Sequence, residues 1–181
     1  FGYATFALNY YWHQEKVFGY HLVNLGIHLV NSLLVWRFVL LLLRTPKMEK
    51  GKYKKVAGLI SLLAGLVFVS HPIQTQGVTY ISQRLASMAT LFYLTGVCSY
   101  IKLRLTLIEK RRRYLLRGCL WGVLLIVCGS LGFFTKETVA TLPIMLVGIE
   151  FYFFKASMRA RLKLAVLPLV IGLGVMPLIV N

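Results

Sequence analysis

The run HLVNLGIHLVNSLLVWRFVLLLL, residues 21–43, decides the fold of this chain. A helix of about 20 mainly apolar residues crosses the roughly 30 Å hydrocarbon core of a bilayer. A strand of a membrane barrel would instead alternate apolar and polar residues over about ten positions, and this run does not. The run therefore predicts a transmembrane helix.

Five further apolar runs follow it, at residues 56–70, 85–101, 118–134, 138–154 and 164–180. In the chain as a whole 58% of the residues are hydrophobic and only 14% are charged, whereas about a quarter of a soluble domain is charged. We therefore expect an all-α, polytopic membrane bundle of about six transmembrane helices over residues 21–181. Residues 1–20 are expected to be the end of an extracytoplasmic loop. A start at Phe1 and a stop directly after an apolar run lead us to expect a piece of a longer protein.

The basic residues fall in alternate connections. Seventeen of the 21 Lys and Arg residues lie in residues 44–55, 102–117 and 155–163. Because Lys and Arg concentrate in cytoplasmic loops, these three connections are predicted to be cytoplasmic. The net charge of +16 is then a signal of topology and of contact with anionic membrane lipids. No nucleic acid partner is expected, since the cations occupy short turns rather than one folded basic face.

Few ionisable groups remain on the predicted outer side, in the connection HPIQTQGVTYISQR (71–84) and the turn TKE (135–137). These groups are His71, Arg84, Lys136 and Glu137. Three of them have a clear structural interpretation as well as a functional one, and Lys136 has less of one. His71 can cap the helix end before Pro72, Arg84 can anchor the chain at the interface, and Glu137 is favoured by a helix dipole.

A stripe of polar side chains runs along the first predicted span. Its members are His21, Asn24, His28 and Asn31, at spacings of three, four and three residues. At 100° per residue they occupy an arc of about 80° on one face of the helix. The stripe either hydrogen-bonds to neighbouring helices or faces a polar cavity or ligand.

Three segments in order resemble a known family. They are FGYHLVNLGIHLVNSLLVW (18–36), HPIQTQGVTYISQRLASMATLFYL (71–94) and FFTKETVATLP (133–143). Together they resemble the membrane region of tetratricopeptide-repeat O-mannosyltransferase-like proteins, a branch of the GT-C glycosyltransferase superfamily, and are most similar to bacterial members. The resemblance implies a GT-C-like fold and a location in the bacterial inner membrane, with the endoplasmic reticulum membrane as the alternative.

The function that the resemblance implies is sugar transfer. The full-length enzyme would move a sugar, a hexose such as mannose, from a polyprenyl-phosphate donor to a hydroxyl of an acceptor protein on the non-cytoplasmic side. The family's acidic catalytic residue lies in the first outer loop, and this chain contains no Asp, so that acid is expected upstream. Gln74, Gln76 and Ala86 stand where some members carry His or acids. No metal ligand is assigned, and a need for a divalent metal is left open.

The resemblance and the chemistry together suggest roles for the outer residues. Departure of a lipid phosphate is helped by cations, and transfer to a hydroxyl needs proton transfer. We therefore assign phosphate binding to Arg84 and Lys136, and catalytic roles to His71 and Glu137. Two other functions fit the same pattern: a flippase or permease for a lipid-linked substrate, and a non-catalytic membrane anchor for tetratricopeptide repeats.

Overall fold

The computed structural model describes residues 2–49, 51, 53–110 and 112–155, and these residues contain helices and no strands. The α-helices are α1 (Gly2–His13), α2 (Val17–Leu43), α3 (Ala57–Ser70), α4 (Thr75–Thr79), α5 (Arg84–Glu109), α6 (Tyr114–Phe133) and α7 (Leu142–Phe153). Short 3-10 segments occupy Lys54–Val56, Pro72–Gln74, Ile81–Gln83 and Glu137–Thr141. The all-α prediction is confirmed for the part of the chain that the structure describes.

Three of these helical segments are long and apolar enough to cross a membrane: Val17–Leu43, Ile81–Glu109 and Tyr114–Phe133. A fourth candidate is the pair Lys54–Ser70 and Pro72–Thr79, which is bent by 53°. The run at 138–154 forms a 3-10 segment and the 12-residue α7, which is shorter than a bilayer requires. The run at 164–180 lies outside the described residues. Six spans and a GT-C-like arrangement therefore remain predictions.

α5 is longer than the sequence suggested. It continues to Glu109 instead of ending near residue 101, so the predicted connection 102–117 shrinks to residues 110–113. Lys102 and Arg104 lie on the helix and not in a loop. The helix ends where Lys110 adopts a left-handed backbone with a φ of 45°. The predicted end near residue 101 was wrong because it was placed at the first charged side chains, Lys102 and Arg104. A charged side chain indicates contact with water or with a partner, whereas a helix ends only where the backbone dihedral angles change.

The distribution of side chains is that of a membrane protein. Leu and Val side chains are exposed along the lengths of α2, α3 and α6. The buried polar and charged residues are Asn9, Asn24, His28, Asn31, Thr45, Ser61, Arg84, Ser99 and Glu150. Lipid-facing apolar surfaces around a polar interior are typical of helices in a bilayer. Together with the long apolar helices, this indicates an integral membrane protein.

The long helices alternate in direction along the chain and pack around α5. α2 lies beside α5 in the parallel sense, because Asn24 contacts Arg84 and Leu34 contacts Cys98. Contacts between residues show that α3 is antiparallel to α2, that α6 is antiparallel to α5, and that α7 lies beside α5 in the parallel sense. The starts of α2 and α5 and the turn after α6 therefore share one end of the bundle, which we call the outer end. The opposite end, which carries most of the cations, we call the basic end.

Gly65 allows α2 and α3 to approach each other closely. A Cβ at this position would lie 3.0 Å from Cβ of Trp36 and 3.2 Å from the carbonyl oxygen of Ser32. We expect Gly65→Leu in the full-length protein to lower the free energy of unfolding by about 1–3 kcal/mol, as overpacked side chains do. Gly58→Leu on the same helix is the matched control, since nothing lies within 4 Å of its Cβ position. Thermal unfolding in detergent compares the two, and equal midpoints would contradict the close contact.

Candidate functional site at the outer end

Arg84 occupies the centre of the outer end. It begins α5 and its side chain is fully buried. Its Nε donates to Oδ1 of Asn24 at 2.8 Å, and its Nη2 donates to Oδ1 of Asn9 at 2.9 Å. Its Nη2 also donates to the carbonyl of Tyr20 at 3.1 Å, and its Nη1 donates to the carbonyl of Thr5 at 3.3 Å. One side chain thus joins α1, α2 and α5.

The surroundings of Arg84 bear on its predicted role. An arginine has five N–H groups, and four hydrogen bonds to protein atoms occupy most of them. The guanidinium also lies 4.6 Å from the ring centre of Phe6, within range of a cation–π interaction. Phosphate binding by Arg84 remains a prediction, and a phosphate would have to share a guanidinium already held by two asparagines and two carbonyls.

The polar stripe of α2 contacts backbone carbonyls at the end of α3, in the segment that follows α3 and in the first turn of α5. His28 Nε2 lies 3.2 Å from the carbonyl of Val69, and His21 Nδ1 lies 3.2 Å from that of Val78. Nε2 of His28 and Nδ1 of His21 must therefore carry the ring proton, because a carbonyl oxygen can only accept a hydrogen bond. Asn24 Nδ2 donates to Tyr80 at 3.3 Å and Asn31 Nδ2 to Ser87 at 2.9 Å. These contacts agree with the first interpretation of the stripe, in which its side chains hydrogen-bond to neighbouring segments.

The reason for this arrangement is a broken helix. The backbone is extended at His71 and again at Tyr80, so the helical hydrogen-bond ladder is interrupted twice between Ser70 and Arg84. An unpaired carbonyl is costly at membrane depth. Side chains from α2 provide hydrogen bonds to three carbonyls beside the breaks, those of Val69, Val78 and Tyr80.

The other three predicted residues are exposed at the same end. His71 Nδ1 accepts from the backbone N–H of Ile73 at 3.2 Å and so caps the following 3-10 segment. Its Nε2 is then the proton-bearing nitrogen. Lys136 and Glu137 are exposed between α6 and α7. The neighbouring Thr135 lies beside the start of α1 and of α5, because a Cβ on Gly2 would contact both Thr135 and Leu85.

Sequence reasoning missed a second buried cluster, which lies between α5 and α7. Arg104 donates to both carboxylate oxygens of Glu150, at 2.9 and 2.6 Å, and the Tyr100 hydroxyl donates to Oε2 at 2.8 Å. Glu150 is 2% exposed. Its ionic partner is Arg104 of α5. The available signal was that a lone acid in a membrane helix needs a cation.

Among the residues that the structure describes, no three His, Cys, Asp or Glu side chains are grouped closely enough to hold a metal ion. The described residues include one buried side-chain atom, Oδ1 of Asn31, that has no hydrogen-bond partner.

The sequence analysis did not predict the residues that surround Arg84, which are Asn9, Thr5 and Tyr20. They come from residues 1–20, where no membrane-spanning pattern singles them out.

Curated proteins with similar sequences are protein O-mannosyl-transferases. Protein O-mannosyl-transferase Tmtc3 of Drosophila melanogaster is 35% identical over 106 residues, 54% of this chain and 11% of its own length. Protein O-mannosyl-transferase TMTC4 of Homo sapiens is 30% identical over 74% of this chain and 18% of its length. Protein O-mannosyl-transferase TMTC2 of Mus musculus is 31% identical over 86% of this chain and 17% of its length.

The chain therefore spans less than a fifth of the length of these curated relatives. No family model matches the chain, and no solved structure matches it. The three relatives come from a fly, a human and a mouse. They give no support to the prediction of a bacterial inner membrane location, or to a specifically bacterial branch of the family.

Proposed function

We propose that this chain is part of a membrane-bound protein O-mannosyl-transferase, and that transfer takes place at the outer end of the bundle. The observation that carries the proposal is the similarity to protein O-mannosyl-transferases, which extends over as much as 86% of the chain. The donor would be a polyprenyl-phosphate mannose and the acceptor a protein hydroxyl. A lipid-linked donor suits a site formed at the ends of membrane-crossing helices.

Lys136 is the cation best placed to meet the phosphate of such a donor. It is exposed between α6 and α7, and the preceding residue, Thr135, lies beside the start of α5. An ammonium there would stabilise the negative charge that grows on the departing phosphate. His71 is the second donor, because its Nδ1 is occupied by Ile73 and its Nε2 proton remains available. Glu137 would orient Lys136 or the acceptor hydroxyl.

Arg84 has a positioning role in this proposal. Its hydrogen bonds hold α1, α2 and the start of α5 together. The connection that carries His71 is attached to the same α2 surface through Asn24 and His21. Arg84 therefore supports the relative placement of the outer segments, and it adds positive potential beneath the surface where the phosphate binds.

We expect Lys136→Met in the full-length protein to reduce mannosyl transfer by about 30-fold to several hundredfold. One well-placed donor to a developing anion is worth roughly 2–4 kcal/mol. The measurement is transfer of radiolabelled mannose from polyprenyl-phosphate mannose to the protein fraction in membranes containing each variant. Lys16→Met is the matched control, since Lys16 is also an exposed cation, directly before α2.

Three outcomes distinguish the functions. Loss of transfer in Lys136→Met alone supports the transferase. Equal transfer in both variants and wild type, at normal expression and above that of membranes lacking the protein, would refute the role of Lys136. Transfer in all three no higher than in membranes lacking the protein is what a non-catalytic anchor predicts. Movement of the labelled donor across a sealed membrane, without its consumption, would identify a permease instead.

A further inference from the structure

A groove lies at the basic end, away from the outer site. Its volume is about 1070 Å³ and its walls come from α2, α3, α5 and α6 with the residues that follow α2. α3 packs on α2, α6 packs on α5, and α2 packs on α5. Residues of α2 and α5 line the groove together with residues of α3, which packs on α2, and of α6, which packs on α5. We call it the basic groove.

The polar part of the basic groove has an excess of positive charge. Its ionisable residues are Arg44, Lys54, Lys102, Arg117, Glu49 and Glu109. Glu49 is 3.6 Å from Lys54, and both side chains are more than half exposed, so this pair is loosely held in water. Four cations against two acids leave a net charge of about +2 at a groove between membrane-crossing helices. Such a surface favours an anionic ligand.

The remaining wall is apolar. Leu40 and Leu43 of α2 face Leu120, Trp121 and other apolar residues of α6. These helices are among the candidate membrane spans, so the apolar wall continues from the charged mouth toward the hydrocarbon region. A ligand that fits both parts has an anionic head and a hydrocarbon chain. A soluble phosphate would match only the mouth.

We propose that the basic groove binds an anionic phospholipid, with its phosphate between Arg44, Lys102 and Arg117 and an acyl chain along the α6 wall. The C-terminal part of the chain is a poorer occupant on grounds of charge. Residues 156–181 contain no Asp or Glu and three basic residues, so they cannot neutralise the cations at the mouth. The proposal concerns the end opposite to the sugar-transfer site and does not depend on that activity.

The test is native mass spectrometry of the detergent-purified full-length protein, titrated with phosphatidylglycerol or with phosphatidylcholine of the same acyl chains. We expect phosphatidylglycerol to bind more tightly. In Arg44→Gln/Lys102→Gln its affinity should fall by about fivefold for each cation removed, while phosphatidylcholine binding stays constant. Lys55→Gln/Arg112→Gln is the matched control, since it removes two exposed cations of the same end that do not line the groove.

Two further measurements keep the result interpretable. Thermal unfolding of both double variants shows that each is folded. Addition of millimolar inorganic phosphate distinguishes a lipid site, where it does not compete, from a free-phosphate site, where it does and the proposal fails. Equal phosphatidylglycerol affinity in the two double variants would also overturn the proposal, and is the result expected if a protein segment fills the groove.

Discussion

Arg84→Met is expected to lower the free energy of unfolding of the full-length protein by about 3–5 kcal/mol, one of the two largest effects expected of a single substitution in this chain. The substitution removes four hydrogen bonds and leaves the buried oxygens of Asn9 and Asn24 without their donor. A buried polar group that loses its partner costs about 1–3 kcal/mol. Unfolding in detergent, followed by circular dichroism, measures the loss.

Two companion variants identify the cause. Arg84→Lys keeps the charge but cannot reproduce a planar fork of donors, so an intermediate loss is expected. Arg84→Met combined with Asn24→Leu should cost less than the sum of the two single substitutions, by about 0.5–3 kcal/mol, because the two side chains share a hydrogen bond. Strict additivity would contradict the network, and so would an Arg84→Met protein as stable as the exposed-site variant Arg112→Met.

Glu150→Gln should also be strongly destabilising, by about 3–5 kcal/mol, because the charge of Arg104, whose side chain is only 15% exposed, loses its counter-charge. The carboxylate accepts two hydrogen bonds from Arg104 and one from Tyr100. The pair joins α5 to α7, so loss of the pair should loosen α7 in particular. Thermal unfolding gives the overall effect, and hydrogen exchange of α7 amides localises it.

The exposed pair of the same chain is the control for this prediction. Glu49 and Lys54 lie 3.6 Å apart with 56% and 69% of their side chains exposed, so Glu49→Gln should change stability by less than about 1 kcal/mol. Replacing both buried partners, as Arg104→Met/Glu150→Leu, should recover most of the loss. Failure of the double substitution to recover stability would mean that the ion pair itself, rather than an unpaired charge, determines the effect.

The long helices could be predicted because hydrocarbon thickness and backbone hydrogen bonding act on every residue of a run. The first predicted span, 21–43, matches α2 closely, since α2 spans Val17–Leu43. The end of α5 could not be predicted in the same way. In the sequence alone Arg104 indicates a solvent-exposed loop, because its partner Glu150 is not known. That partner lies 46 residues further along the chain.

The candidate site likewise has features that local sequence predicts and features that depend on distant residues. Periodicity placed His21, Asn24, His28 and Asn31 on one face of a helix, but periodicity describes only one side of a contact. Three of them meet carbonyls beside the breaks at His71 and Tyr80, and Asn31 meets the carbonyl of Ser87 in α5. Arg84 was recognised as unusual, yet its partners Thr5 and Asn9 are 79 and 75 residues away. Such pairings depend on tertiary structure.

The broken segment after α3 has a consequence for biogenesis. The carbonyls of Val69, Val78 and Tyr80, which lie beside its two breaks, each accept a hydrogen bond from a side chain of α2. α2 precedes this segment in the chain, so ribosomal synthesis delivers the donors before the acceptors. The interrupted segment can therefore leave the translocon beside a helix that already carries its hydrogen-bond donors. In a rearranged gene that encodes α2 last, the segment would enter the lipid before those donors had been synthesised.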